Sequence, residues 1–215
     1  MTSRVRAAAV GVCLMLSVAA CGVEDGSAPA GSSLPTVDSS DAPLPGTTSG
    51  ASGTDVTAAG LEPCPNSDPS VPAKADGLPD VTLPCLGRGP QVRLAGLRGL
   101  PMVITVWASY CAPCVNELPV IGDIARRGAG SVQFLGVDLA DARVAALKMA
   151  VNTHMGFASV QDPRSLIRAG LRVVGPPTTI FVRPDGTVAG RQTGAFADRA
   201  TLSARIEQYL GVKVT

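Results

Sequence analysis

Residues 101–124 read PMVITVWASYCAPCVNELPVIGDI. Met102-Val103-Ile104-Thr105-Val106-Trp107 is an apolar, β-branched run, the pattern of a strand buried on both faces. Downstream, Val115, Leu118, Ile121 and Ile124 recur at the spacing of one helical face, so a helix opens at or just after Cys111 and Cys114. Thiols at that junction meet the unpaired N–H groups and the positive dipole end of the helix, which favour thiolate over thiol. Pro113 falls in the first helical turn, where its missing N–H costs nothing. The stretch predicts a redox-active cysteine pair, with Cys111 as the attacking thiolate and Cys114, one turn inward, as the resolving one.

The surrounding chain alternates between the two periodicities. Residues 78–83 and 91–94 are short strand candidates, split by the turn Gly87-Arg88-Gly89-Pro90. The helix begun at the cysteines continues to about Arg127, and 132–137 is another apolar strand. Asp141 is the expected N-cap of a helix over 142–152. A short strand around 157–160, a helix around 164–169 and a strand over 178–182 follow. Pro184-Asp185-Gly186 is a hairpin turn signal, with 187–192 returning as the partner. Asp198 caps a last helix that reaches Tyr209 and ends at Gly211. Helices interleaved with strands, then a hairpin and a helix, predict an α/β fold with a central mixed sheet flanked by helices.

The N-terminus reads as an export signal. Arg4 and Arg6 form a short basic region, and residues 7–20 form an apolar run too short to span a bilayer. The run ends in Val18-Ala19-Ala20-Cys21, which resembles a bacterial lipobox; by that resemblance the signal is cut before Cys21 and Cys21 carries the lipid. A plain secretory signal cleaved near Ala20 is the alternative, and the mature chain is exported either way. Residues 22 to about 60 are mostly Gly, Ser, Thr, Pro, Ala and Asp and predict a disordered tether. About 40 such residues give a reach of roughly 35 Å. The expected division is a signal over 1–20, a lipidated cysteine and tether over 21–60, and a folded domain over 61–215.

Six cysteines and one histidine set the metal and disulfide options. Cys13 leaves with the signal and Cys21 takes the lipid, so Cys64, Cys85, Cys111 and Cys114 remain as an even set, which in an exported protein reads as disulfides. The sequence-local pairing, Cys64–Cys85 with Cys111–Cys114, is one of three connectivities. One CxxC with two widely spaced cysteines is a poor zinc pattern, and no metal is expected. The chain has 18 basic and 17 acidic residues, and its aromatics make up 3%. Neither balance suits a nucleic-acid partner.

Trp107-Ala108-Ser109-Tyr110-Cys111-Ala112-Pro113-Cys114, then Glu117-Leu118-Pro119 and later Gly175-Pro176-Pro177-Thr178-Thr179, resemble the thioredoxin-like superfamily, and in particular its exported TlpA/ResA-type thiol–disulfide oxidoreductases. The resemblance covers about residue 78 to the C-terminus. It implies a thioredoxin-like fold with an inserted helix and strand between 139 and 160 and an N-terminal extension, and leaves the pair Cys64 and Cys85 outside the shared motifs as a local addition. It implies that Pro177 is the cis-proline beside the cysteines and that Glu117 is the acidic residue kept near them. Trp107 and Tyr110 flank the pair, Trp107 as core packing and Tyr110 along the groove. Thr105 stands where plain thioredoxin has a buried aspartate, and Pro176 stands where a substrate peptide normally finds an N–H, which proline lacks.

By the same resemblance the expected function is a membrane-tethered extracytoplasmic enzyme, more a reductant than an oxidant because Ala-Pro is close to thioredoxin's Gly-Pro. Its partners would be exported protein thiols and disulfides, including those of cytochrome c maturation, and a membrane electron-transfer protein. A monomer without a cofactor is expected. The alternatives are a disulfide donor and a copper-binding chaperone of related fold. The chaperone pattern needs CxxxC and a distant histidine, whereas this chain has CxxC and the isolated His154. A peroxiredoxin reading begins with Pro101 and Thr105 but meets Ala108 at its catalytic cysteine position. His154 reads as a surface or capping residue, and Asp138, at a strand end, as a structural one.

Overall fold

The computed structural model describes residue 57 and residues 59–214. The signal, Cys21 and the tether up to residue 56 lie outside the described residues. Ala59, two residues ahead of the expected domain start, is already buried against Trp107 and its neighbours.

A five-stranded mixed sheet organises the domain. It is built from β3 (Met102–Trp107), β4 (Gln133–Leu139), β5 (Ala158–Asp162), β6 (Thr178–Val182) and β7 (Val188–Thr193), in the order β5-β4-β3-β6-β7. β3 to β5 are mutually parallel, whereas β6 runs antiparallel to β3 and β7 antiparallel to β6. A small antiparallel pair, β1 (Thr82–Leu83) and β2 (Val92–Arg93), stands apart from this sheet. The helices are α1 (Ala112–Arg127), α2 (Arg143–Asn152), α3 (Ile167–Leu171) and α4 (Arg199–Leu210).

All six residues of β3 are buried, which explains its unbroken apolar run. Val103 and Trp107 pack with Leu118, Ile121 and Ile124 of α1, Ala146 and Leu147 of α2, and Leu202 and Ile206 of α4. Met102, Ile104 and Val106 point to the opposite face, towards Leu83, Val92 and the α3 residues Ile167 and Leu171. Gly136 on β4 permits a close approach at the centre of the first face. A Cβ there would lie 2.6 Å from Ser159 Oγ and 2.7 Å from Trp107 Nε1, two atoms that bond each other at 3.1 Å.

Several elements differ from the sequence expectation. The first two strands shrink to two residues each, because Leu94 starts a 3-10 turn and Val81 N–H bonds Pro79 O. The strand expected around 157–160 runs to Asp162, held by its ladder to Leu139 on β4. The helix expected around 164–169 begins only at Ile167. Ser165 has φ 57, and the Asp162 carboxylate accepts the N–H groups of Leu166 (2.9 Å) and Ile167 (3.0 Å). Asp141 is not the N-cap of α2; Ala142 holds that position without a side-chain cap. Ala140, at φ 52, turns the Asp141 carboxylate back towards Ser109 instead. The last helix follows the expectation: Asp198 accepts Thr201 N–H at 2.8 Å, and Gly211 closes it at φ 69.

Candidate active site

β3 delivers the chain to the site and α1 carries it away. After Trp107, which is fully buried, Cys111 N–H bonds Ala108 O at 3.1 Å and Cys114 N–H bonds Cys111 O at 3.0 Å. Cys111 is the residue before the first helical turn, at φ −88 and ψ 97, and Pro113 lies within that turn. Cys111 and Cys114 are joined by a disulfide, S–S 2.01 Å. Cys111 keeps 6% of its surface exposed and Cys114 none. Tyr110 and Val115 stand in solvent on either side of this junction.

The β6 end of the site comes from the register. Val106 pairs with Thr178, so Trp107 and Pro177 each lie one residue beyond that pair, at the same end of the sheet. The Pro176–Pro177 bond is cis. Pro177 is buried and Pro176 is half-buried.

Glu117 lies one turn into α1 from Cys114 and is fully buried. Its Oε1 accepts Phe196 N–H at 3.1 Å, while Oε2 has no partner within the protein. Burial pushes the carboxyl up to about 7, against the smaller opposing effect of the Phe196 N–H. Thr105 pairs with Thr179 across β3 and β6, and both buried hydroxyls lack partners within the protein. Cys114 and Glu117 thus place a sulfur and a carboxyl of near-neutral affinity for protons on one buried helix face.

Behind the loop stands a second acidic group. Asp141 Oδ2 accepts Ser109 N–H (2.5 Å), and Oδ1 accepts Ser109 O–H (2.8 Å) and Ala142 N–H (2.7 Å). Tyr110 O–H donates to Leu139 O at 3.0 Å, a second tie from the loop to the end of β4. Asp138, paired with Trp107 in the β3–β4 ladder, is fully buried. Its Oδ2 accepts Gln161 Nε2–H at 3.1 Å. Burial, followed by the neighbouring Asp141 charge, pushes Asp138 up to about 8.

Cys64 and Cys85 form a second disulfide, S–S 1.99 Å. It fastens an arm to the free edge of β5. Leu86 N–H bonds Ser159 O and Gln161 N–H bonds Pro84 O. Arg143 clamps the Cys85 and Leu86 carbonyls from α2, at 3.1 and 2.7 Å. Leu86 itself packs in the cluster that contains Cys111 and Cys114. His154 is exposed at the end of α2, at φ 49. Sequence reasoning missed Ser109, Asp141 and Phe196 as neighbours of the site; an aspartate read as a helix cap and a backbone N–H from a distant loop carry no local signal.

The sequence profile of the AhpC/TSA family matches residues 75–191, more than half of the 215-residue chain. The thiol:disulfide interchange protein DsbE of Pseudomonas fluorescens biotype C is 30% identical over 54% of this chain and 64% of its own length. The thiol–disulfide oxidoreductase ResA of Bacillus subtilis is 22% identical over 51% of this chain and 62% of its own length. The chain thus spans somewhat under two thirds of the curated relatives it matches. A solved structure of a secreted Mycobacterium tuberculosis disulfide oxidoreductase, described as homologous to E. coli DsbE, superposes with a TM-score of 0.53 at 25% identity. It covers 60% of this chain and 96% of its own.

Proposed function

Because this chain belongs to the AhpC/TSA family, on a thioredoxin-like fold, we propose that it is an extracytoplasmic thiol–disulfide oxidoreductase whose reacting atoms are the sulfurs of Cys111 and Cys114. The observation that carries the proposal is the cysteine pair at the N-terminus of α1, between the buried end of β3 and Pro177. Peroxide chemistry of the AhpC/TSA kind has no cysteine to start from at position 108, which is alanine.

The exchange balances within the protein and its substrate. The Cys111 thiolate attacks one sulfur of a substrate disulfide, forms a mixed disulfide and expels one substrate thiolate. Cys114 then attacks Cys111 Sγ, releases the second substrate thiol and closes the Cys111–Cys114 disulfide. The substrate gains two electrons and two protons, and the protein is oxidised by the same two electrons, so no cofactor is needed. Cys114 must lose its proton to attack, and Glu117 is the group we assign to receive it. A carboxyl held at about 7 can be a base or an acid at neutral pH.

The favoured direction is reduction of exported proteins, apocytochrome c among them, with a membrane electron carrier restoring the dithiol. The reductant reading is supported by the Ala112-Pro113 dipeptide, and the tether by Cys21 and the residues after it. On this reading the protein is a monomer, lipid-anchored on the outer face of the cell membrane, with its folded domain over 61–215. Among the described residues no helix is long and apolar enough to cross a membrane. A Cys114→Ser variant should accumulate a mixed disulfide through Cys111 with a peptide disulfide, detectable by mass, and Cys111→Ser should accumulate none. Equal trapping by both variants would remove Cys111 as the attacking sulfur.

A further inference from the structure

Two carboxyls lie one behind the other at the β4 end of the site. Asp141 spends its acceptors on Ser109, two residues before Cys111, through N–H at 2.5 Å and O–H at 2.8 Å. Asp138, behind it, has no exposed surface, a single neutral donor in Gln161 and an Oδ1 without a partner. An ionised carboxylate in that setting would lack the donors that normally replace water. Arg143 is the nearby cation, but its guanidinium is already committed to the Cys85 and Leu86 carbonyls.

We propose that Asp138, in its protonated form, is a positioning residue for the Cys111 loop, acting through Asp141 and Ser109. The proposal rests on the exchange reading of Cys111 and Cys114 given above. While Asp138 is neutral, Asp141 can lie against it with its charge directed at Ser109. When Asp138 ionises, two carboxylates share one buried wall. Asp141 is the more exposed of the two, so it relieves the repulsion by turning to water and releasing Ser109. The loop then keeps the Tyr110–Leu139 tie and loses the one nearer the strand.

The charged and titratable groups around Asp138 are few. The β4–α2 turn supplies Asp141, and α2 supplies Arg143. On β5, Asp162 follows Gln161 and so lies on the opposite face of the sheet, and its carboxylate is occupied by the Leu166 and Ile167 N–H groups. Glu117, on α1, meets the Phe196 N–H instead, but burial holds its carboxyl at about 7, so its titration must be told apart from that of Asp138 by mutation. Tyr110 contributes its hydroxyl at Leu139 O. β3 presents Trp107, the single tryptophan of the chain, as the ladder partner of Asp138.

The test uses the oxidised protein, in which all four cysteines of the domain are disulfide-bonded and no thiol titrates. Trp107 fluorescence and Ser109 amide hydrogen exchange are followed from pH 6 to 10. The wild type should show a Trp107 step centred near pH 8. Its Ser109 exchange, after allowance for base catalysis, should accelerate by up to about tenfold per pH unit as pH rises towards that midpoint and level off above it, as for an opening coupled to release of one proton. Asp138→Asn should abolish the step and keep Ser109 protected throughout, and Glu117→Gln should retain the step. A step that persists in Asp138→Asn, or Ser109 protection in the wild type that stays flat to pH 10, would overturn the proposal. Should Asp138→Asn fail to fold, Asp141→Asn serves instead. It should lower the Trp107 midpoint, and an unmoved midpoint would count equally against the idea. In the reduced protein, the ratio of Cys111 alkylation rates between Asp138→Asn and wild type should be near one at pH 6.5 and diverge above pH 8; a ratio constant to pH 9.5 also overturns it. Failure of the wild type to exchange with any peptide disulfide would defeat the functional reading while leaving the Trp107 titration intact.

Discussion

Replacing Glu117 with glutamine should change how stability depends on pH more than stability itself. The folded protein holds this carboxyl at about 7 instead of 4.5, chiefly through burial. Between those values the folded state keeps a proton that the unfolded chain releases, so stability falls as pH rises and the full cost is present above about 7. The raised affinity is equivalent to a cost of about 3 kcal/mol for ionising Glu117 in place, of which about 2.5 kcal/mol appears between pH 5 and 8.5. For a domain of this size that corresponds to about 5–10 °C in thermal midpoint. Glutamine can still accept Phe196 N–H, but its amide N–H₂ would stand where Oε2 has no partner, a penalty of about 1–3 kcal/mol at every pH. Glu117→Gln should therefore be less stable than wild type at pH 5 and draw level or pass it at pH 8.5. Thermal unfolding of the two oxidised proteins, followed by circular dichroism at a series of pH values, checks this. Asp138 ionises over an overlapping range in both proteins, so the difference between them isolates Glu117. Parallel curves for the two proteins would refute the account of Glu117 as a buried, proton-holding carboxyl.

Two further outcomes follow from particular contacts. Cys64→Ser with Cys85→Ser opens a loop of 21-residue separation, which the chain-entropy model values at about 3 kcal/mol. The thermal midpoint should fall by about 6–12 °C, with exchange protection lost first at the Leu86 and Gln161 amides that the arm orders; a loss under 1 kcal/mol would mean the arm holds without its disulfide. Pro176→Ala restores a backbone N–H at the half-buried residue before Pro177. One added peptide hydrogen bond should tighten binding of a substrate peptide about 2–10-fold, read by titration calorimetry with the oxidised protein; unchanged affinity would show that substrate does not use that position.

Much of the architecture was legible because local and tertiary demands agree. The run over β3 reads as a doubly buried strand, and Asp198 and Gly211 bracket α4 with chemistry that acts within one turn. Where the reading failed, a distant partner had redirected a local signal. Asp141 has the chemistry of a cap for α2, but Ser109, 32 residues earlier in the chain, offers it two donors and takes it. Asp162 delays α3 by occupying the N–H groups of Leu166 and Ile167, a role that an aspartate at a strand end does not advertise. The site divides in the same way. Cys111, Cys114 and Pro177 are marked by their own motifs. Whether Glu117 is buried was undecided by its helical position, since the Phe196 N–H that meets it comes from 79 residues away. Asp138 looked like a structural strand end because its setting depends on Asp141 turning inward at Ala140, a non-glycine residue at positive φ.

The central claim, that Cys111 and Cys114 form the redox couple of an extracytoplasmic reductant, is tested most directly by the reduction potential of that pair. The protein from residue 61 onward would be equilibrated with thiol buffers, with Cys64 and Cys85 mapped in the same samples. A value near or below thioredoxin's, about −270 mV, is the predicted result. A value near that of strong disulfide donors, about −120 mV, would contradict it and make the protein an oxidant.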